Sequence, residues 1–130
     1  MKIKRLMINI CSEKLTESRN FYTTLFDFNV DYDSDWFIHL ISKDKKLELG
    51  IINRSSEIVP EDFQTDPQGL YVTIVVDSAD EVFKVAKREG LKILKEPEDT
   101  FYGQRRLLLI DPNGTLVDVS SPIEDFDFKN

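Results

Sequence analysis

The chain switches between two hydrophobic periods, and it does so twice. Ile3, Leu6, Met7, Ile8 and Ile10 make a mostly apolar run rich in branched side chains, as a largely buried strand would. From Thr16 to Phe26 the period lengthens: Ser18, Tyr22 and Phe26 share one stripe with Phe21 and Leu25 beside it, which predicts a helix. Three strand-like runs follow, Phe28 to Asp33, Trp36 to Ser42 and Leu47 to Ile52, parted by the polar turns Asp33-Ser34-Asp35 and Lys43-Asp44-Lys45-Lys46. Asn53 to Gly69 is acidic, carries Pro60 and Pro67, and has few periodic apolar positions. It reads as a surface connector and as the best candidate for a lid or linker.

The same order then returns. Leu70 to Val76 predicts a strand, and Ser78-Ala79-Asp80-Glu81 is a capping box that opens a helix ending at Gly90. Val82, Val85 and Ala86, with Phe83 alongside, form its apolar stripe, while Lys84, Lys87 and Arg88 face water. Leu91 to Leu94, Arg106 to Ile110 and Leu116 to Ser120 predict three more strands, the last two joined by the tight turn Asp111-Pro112-Asn113-Gly114.

Aligned on each other, the halves set Ile8-Asn9-Ile10 near Val72-Thr73-Ile74 and Leu47-Glu48-Leu49 on Val117-Asp118-Val119. A duplicated unit that cannot bury its sheet alone is expected to pair with its copy.

Composition narrows the function. At 130 residues and 41% hydrophobic content the chain is long enough for one folded domain with a core. A formal charge of -7 repels phosphate backbones, which argues against nucleic acid as a partner. No apolar run is long enough to span a bilayer, no secretory signal opens the chain, and Cys11 has no second cysteine to pair with. A cytoplasmic location, no membrane partner and a small-core role for Cys11 are expected.

Four pieces in order carry a family resemblance: Ser18-Arg19-Asn20-Phe21-Tyr22, Val76-Asp77-Ser78-Ala79-Asp80, Gly103-Gln104-Arg105, and Asp111-Pro112-Asn113-Gly114 followed by Leu116-Val117-Asp118. With them the chain resembles the vicinal oxygen chelate superfamily, which includes glyoxalase I, bleomycin-resistance proteins and extradiol dioxygenases. The resemblance runs from Ile3 to Pro122. It implies an α+β fold of two repeated βαβββ modules forming a cupped mixed sheet with helices outside. The expected bounds are module one over 1–52, a linker over 53–69, module two over 70–122 and a tail over 123–130.

Metal-dependent members draw four ligands from the first and last strands of each module, and by alignment those places are Met7, Glu48, Tyr71 and Asp118. A thioether and a phenol are poor ligands for Zn, Ni, Mn or Fe(II), so no metal and no cofactor are expected, although two carboxylates with water can suit a hard cation. Glu48 reads either as a solvated strand residue or as a cup residue opposite Asp118. Tyr71 either donates a hydrogen bond to a ligand or fills core volume. Arg105 either anchors an anionic ligand group or makes a surface ion pair beside Arg106.

Trp36 and Phe101 offer flat apolar area for a cavity wall, and His39, the single histidine, reads as structural. Two acids in one cavity would raise at least one carboxyl pKa unless a cation lies nearby, which favours a cationic ligand.

The expected function is metal-independent binding of a small, partly aromatic or cationic molecule, as bleomycin-resistance proteins do. The expected ligand-binding residues are Met7, Trp36, Glu48, Tyr71, Phe101, Arg105 and Asp118, with no catalytic residue assigned. The alternative is a metal-dependent lyase, isomerase or dioxygenase of the glyoxalase type. A homodimer is expected, with Phe126 and Phe128 offering apolar contacts.

Overall fold

A computed structural model describes residues 1–126; Phe128 of the expected dimer contact lies outside them. The chain divides into two compact units, Met1–Pro67 and Gln68–Asn130, each with one helix and one four-stranded sheet.

The first unit runs β1 (Ile8–Ser12), α1 (Leu15–Leu25), β2 (Phe28–Asp33), β3 (Phe37–Ser42) and β4 (Glu48–Asn53). The strand order is β1-β4-β3-β2, with β1 parallel to β4 and the other pairs antiparallel. Period-two alternation sends Ile10, Ile38, Leu40, Leu49 and Ile51 into a core that Phe21 and Tyr22 of α1 close, and all are buried. Each such side chain contributes about 1.5–3 kcal/mol on burial.

The second unit repeats the plan with β5 (Val72–Val75), α2 (Ala79–Arg88), β6 (Lys92–Asp99), β7 (Gln104–Ile110) and β8 (Leu116–Pro122), in the order β5-β8-β7-β6. Its core comprises Val82, Ala86, Leu107, Leu109, Val117 and Val119. The Ser78 half of the predicted box is present: Ser78 Oγ accepts from the Glu81 amide at 3.2 Å, while the Glu81 carboxylate pairs with Lys84. In the turn after β7, Asp111 Oδ1 accepts from the amides of Asn113 and Thr115, and Gly114 takes a positive φ of 82°.

Several elements differ from the sequence reading: β5 starts at Val72, not Leu70, β7 starts at Gln104, not Arg106, and β8 runs on to Pro122. The first strand starts at Ile8, not Ile3, because its partner β4 offers pairing only from Leu49 onward; Ile3 and Leu6 are exposed. Strand β6 continues through Pro97 to Asp99, beyond the expected end at Leu94. It is the edge strand of its sheet, where a residue without an N–H is tolerated, and its pairing with β7 shifts register on either side of Lys95. The connector is not featureless either: it holds a 3-10 turn (Glu61–Phe63) and buries Val59.

Candidate functional site

Each sheet has one face turned to its helix and one turned away, and polar side chains gather on the second. In the first unit the register sets Asn9 and His39 on either side of Gly50, on the face opposite Leu40, Leu49 and Ile51. A bulge in β2 between Val30 and Tyr32 re-aims Asp31, whose Oδ2 lies 2.9 Å from His39 Nδ1. On the other side of the ring, His39 Nε2 lies 2.8 Å from Glu48 Oε1. Ionised carboxylates can only accept, so both contacts are hydrogen bonds only when the ring carries N–H at both nitrogens.

Glu48 is further gripped from the segment before β1. Arg5 Nε donates to both carboxylate oxygens at 2.9 and 2.8 Å, and Nη2 donates to Oε1 at 2.5 Å. The Arg5 guanidinium holds the Glu48 carboxyl below the usual glutamate range against the opposing effect of burial, with His39 adding to the same shift. Arg5 also approaches Met7 Sδ at 3.8 Å. The chain Asp31, His39, Glu48, Arg5 thus alternates acid and base across the sheet.

Beside it runs an aromatic row. Phe37 is stacked on His39 with an interplanar angle of 10°, Trp36 lies 5.3 Å from Phe37, and Tyr32 packs edge-on to Trp36 at 6.5 Å. Gly50 makes room for this: a Cβ there would stand 2.1 Å from Asn9 Oδ1 and 2.9 Å from Phe37 Cε1.

In the second unit Asp118 is the buried acid on the sheet face turned from the helix. Its Oδ1 accepts from Ser120 Oγ at 2.7 Å and its Oδ2 from Thr73 Oγ1 at 3.3 Å. Arg106 Nε stands 3.2 Å from Asp118 Oδ2, but its N–H is not aligned on that oxygen, so the contact is a charge pair without a hydrogen bond.

Of the residues expected at the site, Met7, Trp36 and Glu48 fall in the first unit, and Tyr71, Phe101, Arg105 and Asp118 in the second. In the first, Met7 and Glu48 meet through Arg5, and Trp36 joins the aromatic row that leads to His39. In the second, Tyr71 precedes β5 and is 54% exposed, and Phe101 is 91% exposed with its ring edge-on to Tyr102. Arg105 turns to the helix side, where it bridges Asp80 of α2 and Asp99 of β6 at 3.1 and 3.0 Å, the ion-pair role open to it from sequence.

One correction follows from these contacts. The internal alignment set Glu48 on Asp118, yet β1 pairs Ile8 with Leu49 while β5 pairs Val72 with Val117. Strand on strand, Gly50 therefore corresponds to Asp118, Glu48 to Leu116, and Met7 to Tyr71. At Glu48 the exception to an upward carboxyl shift applies, because the Arg5 cation sits against the acid and lowers it. Arg5, His39 and Arg106, absent from the expected set, engage the two acids together with the Thr73 and Ser120 hydroxyls. His39 carried a signal, as a lone histidine in mid-strand; Arg5 sits in a segment with no pairing partner and carried none.

Two βαβββ modules, each with a mixed sheet flanked by one helix, define the structural class. The chain belongs to the Glyoxalase/Bleomycin resistance protein/Dioxygenase superfamily, whose family model matches residues 2–119.

Among solved structures it is similar to a glyoxalase/bleomycin resistance protein/dioxygenase family enzyme from Burkholderia phytofirmans PsJN. The two are 20% identical over 90% of this chain and 97% of that one, with a TM-score of 0.76. It is likewise similar to a bleomycin resistance determinant encoded on the transposon Tn5 (20% identity, 92% and 98% covered, TM-score 0.64). A third is TnmS3, an antibiotic binding protein from Streptomyces sp. CB03234 (16% identity, 94% and 98% covered, TM-score 0.72). No curated protein sequence matches. Among the described residues no helix is long and apolar enough to cross a membrane.

Proposed function

We propose that this chain is a metal-independent small-molecule-binding protein of the bleomycin-resistance kind, acting as a homodimer in the cytoplasm. The observation that carries the reading is the prior engagement of its acids. Glu48 spends both oxygens on Arg5 and one of them on His39 as well, and Asp118 faces Arg106, Thr73 and Ser120. A divalent ion at either acid would have to displace a guanidinium; His39 beside Glu48 is a nitrogen donor already held by Asp31, and the other places are Met7, Tyr71 and Gly50. A thioether, a phenol and a residue with no side chain are a poor set. The residues present do not fit the metal that other members hold.

Binding is supported by what the two open faces offer: a row of rings for flat apolar groups, and arginine, histidine and hydroxyl groups for polar ones. Each acid is matched by an arginine, so charge alone does not select a cation. The likeness to a bleomycin resistance determinant and to an antibiotic binding protein sets the first compounds to try.

Thermal unfolding with a panel of antibiotics, bleomycin among them, tests the reading. At least one compound should raise the midpoint equally with and without EDTA, since a ligand at 100 times its Kd adds about 2.7 kcal/mol. Stabilisation that appears only after Ni, Mn or Zn is added would overturn it.

A further inference from the structure

Residues 1–6 are exposed, and among the described residues they take no backbone hydrogen bond; strand pairing begins at Ile8. A segment without such ties stays in place only where something pins it, and here the pin is one side chain. Arg5 Nε and Nη2 reach both oxygens of Glu48, and Nη2 stands 3.8 Å from Met7 Sδ and 3.4 Å from His39 Nε2. The Arg5 side chain is 59% exposed against 10% for Glu48. The place that the guanidinium fills, over an otherwise enclosed acid, therefore opens on solvent.

With Arg5 lifted away, Asp31 and Glu48 would have only His39 between them, two carboxylates against at most one positive charge. The place left is acidic, which excludes an anion and gives a neutral group nothing to set against the charge of Glu48. A cation of the same form as the one displaced, planar with two N–H groups in a fork, meets both carboxylate oxygens as Arg5 does; an ammonium meets them only as a point charge. The row of Phe37, Trp36 and Tyr32 starts at His39, so a cation carried on a ring has aromatic surface beside it.

We propose that Arg5 is a displaceable stand-in: it fills, from within the chain, a site for a planar cation, a guanidinium or amidinium group of the ligand, which enters by lifting residues 1–6 off the face. The proposal rests on the small-molecule-binding reading and names the group that the ligand sets against Glu48.

Benzamidine is the probe, with benzamide as its neutral counterpart and benzoate as the anion, each titrated in EDTA onto the isotope-labelled full chain and followed by NMR. Benzamidine should shift the Glu48 side-chain carboxyl and Arg5 Nε–H signals saturably, and the heteronuclear NOE of residues 2–6 should fall as Arg5 is released. Benzamide and benzoate should do neither. In Arg5→Met the stand-in is gone, and half-saturation by benzamidine should come at about a tenth of the parent's concentration, the gain for a site that its own chain closes about nine-tenths of the time. In Glu48→Gln saturation should be lost while the amide spectrum stays that of a folded chain, which separates loss of the site from unfolding.

Equal or weaker binding in Arg5→Met would overturn the proposal, since Arg5 would then be a bystander or a part of the binding surface. So would saturation by benzamide or benzoate at the same concentrations, saturation that survives Glu48→Gln, or no saturable shift at all. If benzamidine displaces Arg5 while the antibiotic panel proves metal-dependent, the metal-independent reading fails and the role of Arg5 holds. If a panel compound stabilises the chain in EDTA while benzamidine leaves Arg5 in place, the stand-in alone fails.

Discussion

Arg106 and Asp118 should prove energetically coupled, and the partner left behind sets the size of each loss. Asp118 is the more enclosed, its side chain 7% exposed against 28% for Arg106. Arg106→Met therefore strands a carboxylate held only by the Thr73 and Ser120 hydroxyls, whereas Asp118→Asn leaves a guanidinium that still reaches water. Removing one partner of a fully buried pair costs about 3–5 kcal/mol, and an exposed pair contributes at most about 1 kcal/mol.

Between those limits, the exposures place Arg106→Met at about 2–4 kcal/mol and Asp118→Asn, whose amide can keep one hydroxyl partner, at about 1–2 kcal/mol. The double variant should lose less than the sum, by about 1 kcal/mol or more. Urea unfolding followed by far-UV circular dichroism, with unchanged m values, measures all three. Single losses that add to within about 0.5 kcal/mol would refute the coupling, and a larger loss for Asp118→Asn than for Arg106→Met would refute the ranking by enclosure.

Glu48 titrates below the usual glutamate range because of Arg5, so its stabilising contribution is present above the unfolded value and lost as pH falls through the lowered folded one. Glu48→Gln should therefore have a lower thermal midpoint than the parent at pH 7, and the gap should close below about pH 4.3, the ordinary glutamate value; a gap independent of pH would contradict the assignment. Gly50→Ala should destabilise by about 1–3 kcal/mol, as overpacking does, since Asn9 Oδ1 and Phe37 must both yield. Phe37 packs on the single tryptophan, so the emission of Trp36 should change with it. An unaltered spectrum would mean that Phe37 had not moved.

What could be read from sequence was local, and what was missed depends on pairing between distant segments. Ser78 and Glu81 meet within one helical turn, and Asp111 closes its own turn, so residue types alone predicted both. The second strand, Phe28–Asp33, is bounded by its own turn residues and matched its expected limits.

The start of β1 depends on where β4 begins, 40 residues away, and apolar content at Ile3 and Leu6 could not reveal that no partner strand reaches them. The same dependence misplaced Glu48 against Asp118, because a two-residue slip keeps each side chain on its face and leaves the hydrophobic pattern unchanged. The choice between Arg105 and Arg106 was a question of parity: adjacent residues point to opposite faces, and only the burial of Leu107 and Leu109 shows which face each serves. His39 became legible through the bulge that aims Asp31 at it, and the sequence gives no sign of a bulge there.

Metal content tests the central claim most directly. The purified chain is incubated in turn with excess Zn, Ni, Mn and Fe(II), dialysed, and analysed by inductively coupled plasma mass spectrometry. With Glu48 and Asp118 each set against an arginine, and Met7, Tyr71 and Gly50 offering little in their place, retention should stay far below one ion per chain for every metal. Retention near one ion per chain for any of them, abolished by Asp118→Asn, would contradict the account.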